Sequence, residues 1–324
     1  MVKEGFIYTS QNPSQSGRVF LFNKSQLTMS YFNNETVLFK DGTFEKAAEA
    51  HLSLYQQTVH YGNGAFEGIR SYETPDGTRI FKAKEHFDRL LFSAKAMHLN
   101  LTYTAAEMEA LTYELLRRNN LTDAYIRPLV YAGESMSLLP SDECHLVIMA
   151  WKWDRYLGDE PLRVTLSPFQ RPNPKSTVVE AKLTGHYTNS IMATREAKSR
   201  GFDEALLTDL NGFVAEAPGA NFFLEKDGKL LTPALGNILP GITRATVMEL
   251  AAELDLEVEE RAFTPDEILT ADAAFFCGTA AEVAPIKSFE SYEFPLAWEE
   301  SLGYLLQRRY KMRVSVNEYQ QLYL

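Results

Sequence analysis

Lys182 is the residue best placed for covalent chemistry. It stands in Val178-Val179-Glu180-Ala181-Lys182-Leu183-Thr184-Gly185-His186-Tyr187-Thr188-Asn189-Ser190, among small and turn-forming residues, with a tyrosine five positions on. A lysine in a tight, partly dry pocket sheds its proton more readily, because desolvation disfavours the ammonium. The neutral amine attacks carbonyls and can hold an aldehyde cofactor as a Schiff base. Lys and Arg together number 32, and such residues are mostly solvated surface charges, so Lys182 needs support from elsewhere in the chain.

Four other stretches offer it. Glu216 follows Phe213-Val214-Ala215, an apolar run in which a carboxylate needs a partner; the plainer reading is a charge on an exposed strand edge. Leu239-Pro240-Gly241-Ile242-Thr243-Arg244 leads into a helical pattern over 245–254. The interval from Gly236 to Gly241 imitates a P-loop, but Ile242 occupies the lysine position. What remains is a helix N-terminus with free N–H groups, the Thr243 hydroxyl and the positive dipole end, a setting for a monophosphate or simply an ordinary cap. Phe275-Phe276-Cys277-Gly278-Thr279-Ala280-Ala281-Glu282 reads as an apolar strand that ends in small residues, a second set of backbone donors. Tyr61-Gly62-Asn63-Gly64-Ala65-Phe66-Glu67-Gly68 is not a dinucleotide loop, since its third glycine is one position late and it runs into a strand. It reads as a turn whose backbone lines a pocket, with Tyr61 and Phe66 as aromatic walls.

These stretches must be positioned by regular elements. Strand patterns at 69–73 and 79–82 flank Pro75-Asp76-Gly77-Thr78, a hairpin turn by its chemistry. Two amphipathic helices are expected near 84–98, with Phe87, Leu90, Leu91 and Ala94 on one face, and near 105–119, with Met108, Leu111, Leu115 and Leu116 together. Strands follow at 124–132 and 145–151; Pro128 inside the first predicts an edge or a bulge. Leu162–Leu166 begins a second half, which has hairpins on Asn211-Gly212 and Asp227-Gly228, a helix expected from Ile191 to Arg200 closed by Gly201, and a helix start at Thr264-Pro265-Asp266-Glu267. Hairpins rather than βαβ units dominate that half, which argues against a Rossmann sheet. The expectation is an α+β protein with an extension over residues 1–25, a small domain over 26–153, a linker over 154–161 and a larger domain over 162–324.

Composition narrows the function. The 324 residues carry 45% hydrophobic and 23% charged residues, as in an ordinary globular protein. The net charge of −11 disfavours nucleic acid or an anionic membrane as a partner. Cys144 and Cys277 lie far apart, and neither cysteines nor histidines form a metal-ligand spacing, so no metal is expected. No apolar run is long enough for a membrane span, and the first residues lack a signal-peptide core, which points to the cytoplasm.

In order along the chain, His60-Tyr61-Gly62-x-Gly64-x-Phe66-Glu67-Gly68-Ile69-Arg70, Glu85-His86-x-x-Arg89-Leu90, Tyr125-Ile126-Arg127-Pro128-Leu129, Lys182 with Gly185-x-Tyr187-x-Asn189-Ser190, Leu207-x-Asp209 through Glu216, Leu239 to Arg244 and Gly278 to Glu282 resemble the class IV, pyridoxal-phosphate-dependent aminotransferases, and most nearly the branched-chain amino-acid aminotransferases. The resemblance spans about residues 50 to 290. It implies the two-domain fold of that class and pyridoxal 5′-phosphate as cofactor. Lys182 would be the catalytic lysine joined to it, Tyr187 the phenol on the ring oxygen and Glu216 the carboxylate on the ring nitrogen. Arg89, Gly241, Ile242, Thr243 and Thr279 would hold the phosphate. Tyr61, Phe66, Gly68, Tyr125, Arg127, Ala280 and Ala281 would form the substrate pocket. The implied reaction passes amino groups from leucine, isoleucine and valine to 2-oxoglutarate, in a homodimer whose sites are each completed by a partner loop. The alternative on the same fold is D-amino-acid transamination or an aminodeoxychorismate-lyase-like elimination. The departures that keep it open are Ala217-Pro218, Ala220 in place of a carboxylate and His186 in place of an asparagine.

Overall fold

The computed structural model describes residues 31–153, 157 and 160–315; the extension expected over 1–25 and most of the linker expected over 154–161 lie outside the described residues. Two sheets carry the fold. The first has strands β1 (Val37–Lys40), β2 (Thr43–Lys46), β3 (Gly64–Phe66), β4 (Ile69–Thr74), β5 (Gly77–Ile80), β6 (Ala124–Ala132) and β7 (Cys144–Trp151). Their order is β2-β1-β7-β6-β4-β5, with β3 also on β6, and every pairing is antiparallel. After a short α1 (Gln57–Tyr61), helices α2 (Ala83–Ala96) and α3 (Ala105–Arg118) cover one face. Phe87, Leu90, Ala94, Met108, Leu115 and Leu116 are buried there as their spacing predicts, while Leu91 and Leu111 pack at the margin. Each of the buried Phe, Leu and Met side chains stabilises the fold by roughly 1.5–3 kcal/mol relative to exposure. A capping box between Thr104 and Glu107 starts α3.

Pro128 is not at an edge. It lies in the middle of β6, opposite Ile148 of β7. On the other side Phe66 of β3 pairs with Leu129 and Ile69 of β4 pairs with Ile126, so Glu67 and Gly68 face Pro128 and Arg127 across a gap in the ladder. Glu67 N–H still donates to the Pro128 carbonyl, but proline has no N–H to return. The missing donor separates β3 from β4 and frees Glu67 and Gly68 for other work.

The second sheet has β8 (Leu162–Gln170), β9 (Glu204–Thr208), β10 (Asn221–Lys226), β11 (Lys229–Thr232), β12 (Val258–Glu260), β13 (Ala273–Gly278), β14 (Glu282–Phe289) and β15 (Tyr292–Glu293). The order is β12-β11-β10-β13-β14-β8-β9, with β15 on β14. Hairpins β10–β11 and β13–β14 are antiparallel, as expected. The half is nevertheless mixed: β8 runs parallel to β9 across α4 (Tyr187–Ser199), and β11 parallel to β12 across α5 (Ile242–Glu253). A helix between two neighbouring strands returns the chain in the same direction, so these connections are crossovers. The turn at Asn211-Gly212 forms, with Gly212 at φ +82°. Its return arm forms no strand, only isolated bridges from Val214 to Thr208 and from Glu216 to Asn221 around the bend at Pro218. Side chains alternate along β10: Phe222 and Leu224 enter one core, and Phe223 enters another against α5 and α7 (Leu302–Ser315), beyond the short α6 (Pro265–Ile268).

Candidate active site

The backbone of Lys182 is pinned from both sides. Its N–H donates to Ser93 Oγ of α2 (2.9 Å), and its carbonyl accepts from Phe66 N–H of β3 (3.1 Å). Ala181 and Leu183 are buried in the core of the first sheet, which leaves the Lys182 side chain pointing elsewhere. A 3-10 turn over Thr184–His186 then runs into α4 at Tyr187, four residues before the expected start at Ile191. The early start brings the Tyr187 hydroxyl within 2.7 Å of Lys182 Nζ. Phe66 lies edge-on to Tyr187 (4.7 Å between centroids), with Lys182 Nζ 5.1 Å from the Phe66 centroid.

Glu216 is buried, not an edge charge. The Asn221 amide donates to Oε2 (3.0 Å) and Leu239 N–H to Oε1 (3.1 Å). The Arg171 guanidinium lies 2.8 Å from Oε1, though its Nε is not aligned as a hydrogen bond. Burial raises the Glu216 carboxyl above its ordinary range, opposed by Arg171, the Leu239 N–H and Lys182. A cationic ring N–H against this carboxylate would add a second charge partner to Arg171.

Gly241 is the N-cap of α5 with no side-chain cap, and neither Ile242 nor Thr243 N–H donates to an acceptor among the described residues. A Cβ at Gly241 would sit 1.9 Å from Asn221 Oδ1, so only glycine lets this turn and the Glu216 partner share the space. Arg89 of α2 donates to the Pro240 carbonyl (2.9 Å) and is held by the fully buried Glu67 through Nε (2.6 Å) and Nη2 (2.9 Å). His86 Nδ1 meets the same carboxylate at 2.8 Å. Burial alone would raise the Glu67 carboxyl; Arg89 and His86 outweigh it and hold it far below the usual range. Burial also lowers the His86 imidazole.

One cavity of about 610 Å³ joins these groups. Phe66, Gly68, Arg89, Tyr125, Arg127, Lys182, Tyr187, Glu216, Gly241, Ile242, Thr243, Thr279 and Ala280 all line it. Two expected members do not. Ala281 turns into the core of the second sheet, because the turn between Gly278 and Glu282 leaves only Thr279 and Ala280 facing out. Tyr61 is 48% exposed at the end of α1 and donates to the Met136 carbonyl, away from the cavity of its own chain. The structure adds Arg171, Glu67, His86 and Asn221. Glu67 and His86 lie inside quoted motifs without a legible role, and no spacing singles out Arg171.

The sequence and fold both have relatives. Residues 64–289 match the family model for amino-transferase class IV. The chain is 42% identical over 268 residues to a branched-chain-amino-acid aminotransferase of Pseudomonas aeruginosa, covering 81% of this chain and 87% of that one. The Escherichia coli enzyme of the same name is 35% identical over 271 residues, 81% and 85% of the two chains. The chain belongs to the class IV aminotransferases. Among solved structures, the branched-chain aminotransferase of Thermoproteus uzoniensis with norvaline superimposes with a TM-score of 0.83 at 36% identity, over 86% of this chain and 94% of that one. The branched-chain amino acid aminotransferase of Thermobaculum terrenum, solved in its PLP form, gives 0.81 at 32% identity, over 87% and 94%.

Class IV aminotransferases use pyridoxal phosphate. The residues here fit that group. An amine, a phenol, a buried carboxylate and a helix N-terminus with an arginine face a single space.

Proposed function

We propose that this aminotransferase moves the amino group of leucine, isoleucine and valine to 2-oxoglutarate. The observation that carries the reading is the Lys182–Tyr187 pair facing Glu216 and the α5 N-terminus across one cavity. When bound, pyridoxal phosphate supplies an electron sink for the substrate carbanion. Lys182 Nζ would hold the cofactor and, once the substrate amine has released it, would accept the proton from the substrate Cα. The Tyr187 hydroxyl fixes that amine and would bond the ring oxygen of the bound group. Glu216 would hold the ring N–H and keep it protonated. Arg89, the Ile242 and Thr243 amides, the Thr243 hydroxyl and Thr279 bind the phosphate; Gly241 gives the turn room to approach.

The side-chain end is apolar and aromatic. Phe66, Tyr125 and Trp153 wall it, with Tyr125 and Trp153 in edge contact at 4.6 Å between centroids. Such walls suit branched aliphatic chains. Arg127 stands among them, over Phe66 at 4.6 Å, with one Nη on the Tyr125 hydroxyl and a buried Nε without a hydrogen-bond partner. No ion pair engages it among the described residues. It serves the second carboxylate of 2-oxoglutarate and glutamate. Relatives named branched-chain-amino-acid aminotransferase support the reading. One enzyme of that name has been solved both with N-(5′-phosphopyridoxyl)-L-glutamate and with 4-methylvaleric acid, at 33% and 34% identity to this chain.

We further propose a cytoplasmic homodimer, with residues 26–153 and 162–324 as its two domains. Leu54, Tyr55, Tyr61, Met136, Leu138 and Leu139 are exposed together on two segments joined by Gln57 bonds to the Ser137 and Leu139 carbonyls. A second copy covers this patch, and Tyr61 then serves the partner's cavity. Light scattering is expected to give twice the chain mass; an active monomer would refute it. Both cysteines are free, which suits a reducing compartment.

Purified protein is expected to absorb in the visible, and Lys182→Ala to lose that band and the activity. Among L-Leu, L-Ile, L-Val, D-Ala and L-Glu as donors, the branched L-amino acids and L-Glu are expected to react. Activity with D-Ala and none with L-Leu would overturn the reading. Ala217, Pro218 and Ala220 line the cavity, so the same panel measures their effect.

A further inference from the structure

The cavity is more cationic than its reaction centre requires. Arg89, Arg127, Arg171, Lys182, Arg195 and Lys198 line it against one carboxylate, Glu216, in a chain of net charge −11. Arg89 and Arg171 are engaged by Glu67 and Glu216. Lys182 and Arg127 have places in the proposed reaction. Arg195 and Lys198 are left over.

Both belong to α4. Its residues at 187, 190, 191, 194, 195 and 198 all face the cavity, which is one stripe of a helix. At a helical rise of 1.5 Å per residue, Arg195 and Lys198 start about 12 and 17 Å along the axis from Tyr187. Both side chains are exposed, unlike the buried Glu216 and Thr243. They therefore sit at the mouth, too far out to touch reacting atoms. The nearby acids hydrogen-bond to other groups: Glu196 lies near Arg200, and Asp203 accepts three bonds from Arg163, while Asp203 and Glu204 also feel the charge of Lys198 from beyond ion-pair distance. Glu204 is buried against Thr194 and Ala205 N–H. Among the described residues no carboxylate reaches ion-pair distance of Arg195 or Lys198.

We propose that Arg195 and Lys198 form a capture site at the cavity mouth for dicarboxylate 2-oxo acids. It rests on the proposed function in taking a dicarboxylate as acceptor. The net negative chain repels such dianions, and two cations held in no ion pair among the described residues offset that repulsion at the entrance and concentrate the ligand. Monocarboxylate oxo acids feel half the attraction, because Coulomb energy scales with ligand charge. The site thus favours the dicarboxylate at encounter, before Arg127 selects it inside.

The test compares Arg195→Gln/Lys198→Gln holoenzyme with wild type, using 2-oxoglutarate and 4-methyl-2-oxopentanoate as acceptors. At about 0.01 M ionic strength kcat/KM for 2-oxoglutarate is expected to fall about tenfold and for the monocarboxylate about threefold, one factor being the square of the other. At about 0.5 M salt both losses shrink to less than about twofold as screening shortens the range. Arg195→Glu should deepen the same pattern. Equal losses for the two acids, losses that survive salt, or no loss at low salt would each overturn the proposal. Wild type that ignores 2-oxoglutarate would refute the acceptor assignment only. The capture site is then read from inhibition by glutarate and by 4-methylpentanoate, where the variant must weaken glutarate by the larger factor or the proposal fails.

Discussion

Glu67→Gln isolates the group that aims Arg89. The wild-type carboxylate is fully buried and accepts two guanidinium bonds, at 2.6 and 2.9 Å, and a His86 contact at 2.8 Å. Gly68 N–H also reaches it at 3.3 Å. Removing one partner of a buried charge pair costs about 3–5 kcal/mol, because the other charge stays buried and uncompensated. The glutamine amide keeps one acceptor oxygen and Arg89 keeps the Pro240 carbonyl, which places the loss near the lower end, about 3 kcal/mol. Urea unfolding of the cofactor-free protein should show that loss. Pyridoxal phosphate should restore part of it, since its phosphate supplies an anion beside Arg89. The cofactor's stabilising increment is thus larger in the variant than in wild type. Acid sharpens the contrast. A carboxyl held below its unfolded value of 4.5 stabilises the fold fully above that pH and progressively less as pH falls beneath it. Glu67→Gln should lack this component of acid lability. A loss under about 1 kcal/mol, or a cofactor increment equal in both proteins, would refute the reasoning about Arg89.

Two further substitutions probe the substrate end. A Cβ at Gly68 would lie 2.0 Å from the Tyr125 hydroxyl, which accepts from Arg127, so Gly68→Ala must displace the wall. It is expected to lower kcat/KM for L-leucine by about 10²-fold while the visible band persists; unchanged kinetics would place Tyr125 outside the pocket. His186 lines the cavity with Nε2 at 2.6 Å from Thr177 Oγ1, and burial, with Arg171, lowers its imidazole to about 4. The folded protein therefore refuses a proton that the unfolded chain takes up below pH 6.5, and wild-type stability falls between about pH 6.5 and 4. His186→Asn should flatten that fall and leave the pH dependence of kcat above pH 6 unchanged; a shifted profile would put the imidazole in the chemistry.

Much of this protein was determined by local sequence. Phe87, Leu90, Met108 and Leu115 mark their helix faces by spacing alone, and Pro75-Asp76 and Asp227-Gly228 mark their turns. The order of the motifs around Lys182, Glu216 and Thr243 announced the family, because each keeps a short backbone shape that only certain residues allow. Tertiary structure decided what depends on distant partners. Whether Glu216 is an edge charge or a buried acid is set by Arg171 and Leu239, which no local pattern ties to it, together with Asn221 five residues on. Pro128 looked like an edge or bulge residue, yet it lies mid-strand in unbroken register, β3 and β4 part around its missing N–H, and the gap frees Glu67 to hold Arg89. Tyr61 and Ala281 sit in the right motifs but face away, since a motif specifies a turn and not which side of it meets the cavity. Periodicity is a property of neighbours along the chain; charge pairing and pocket lining are properties of groups brought together from far apart, and only the fold supplies them.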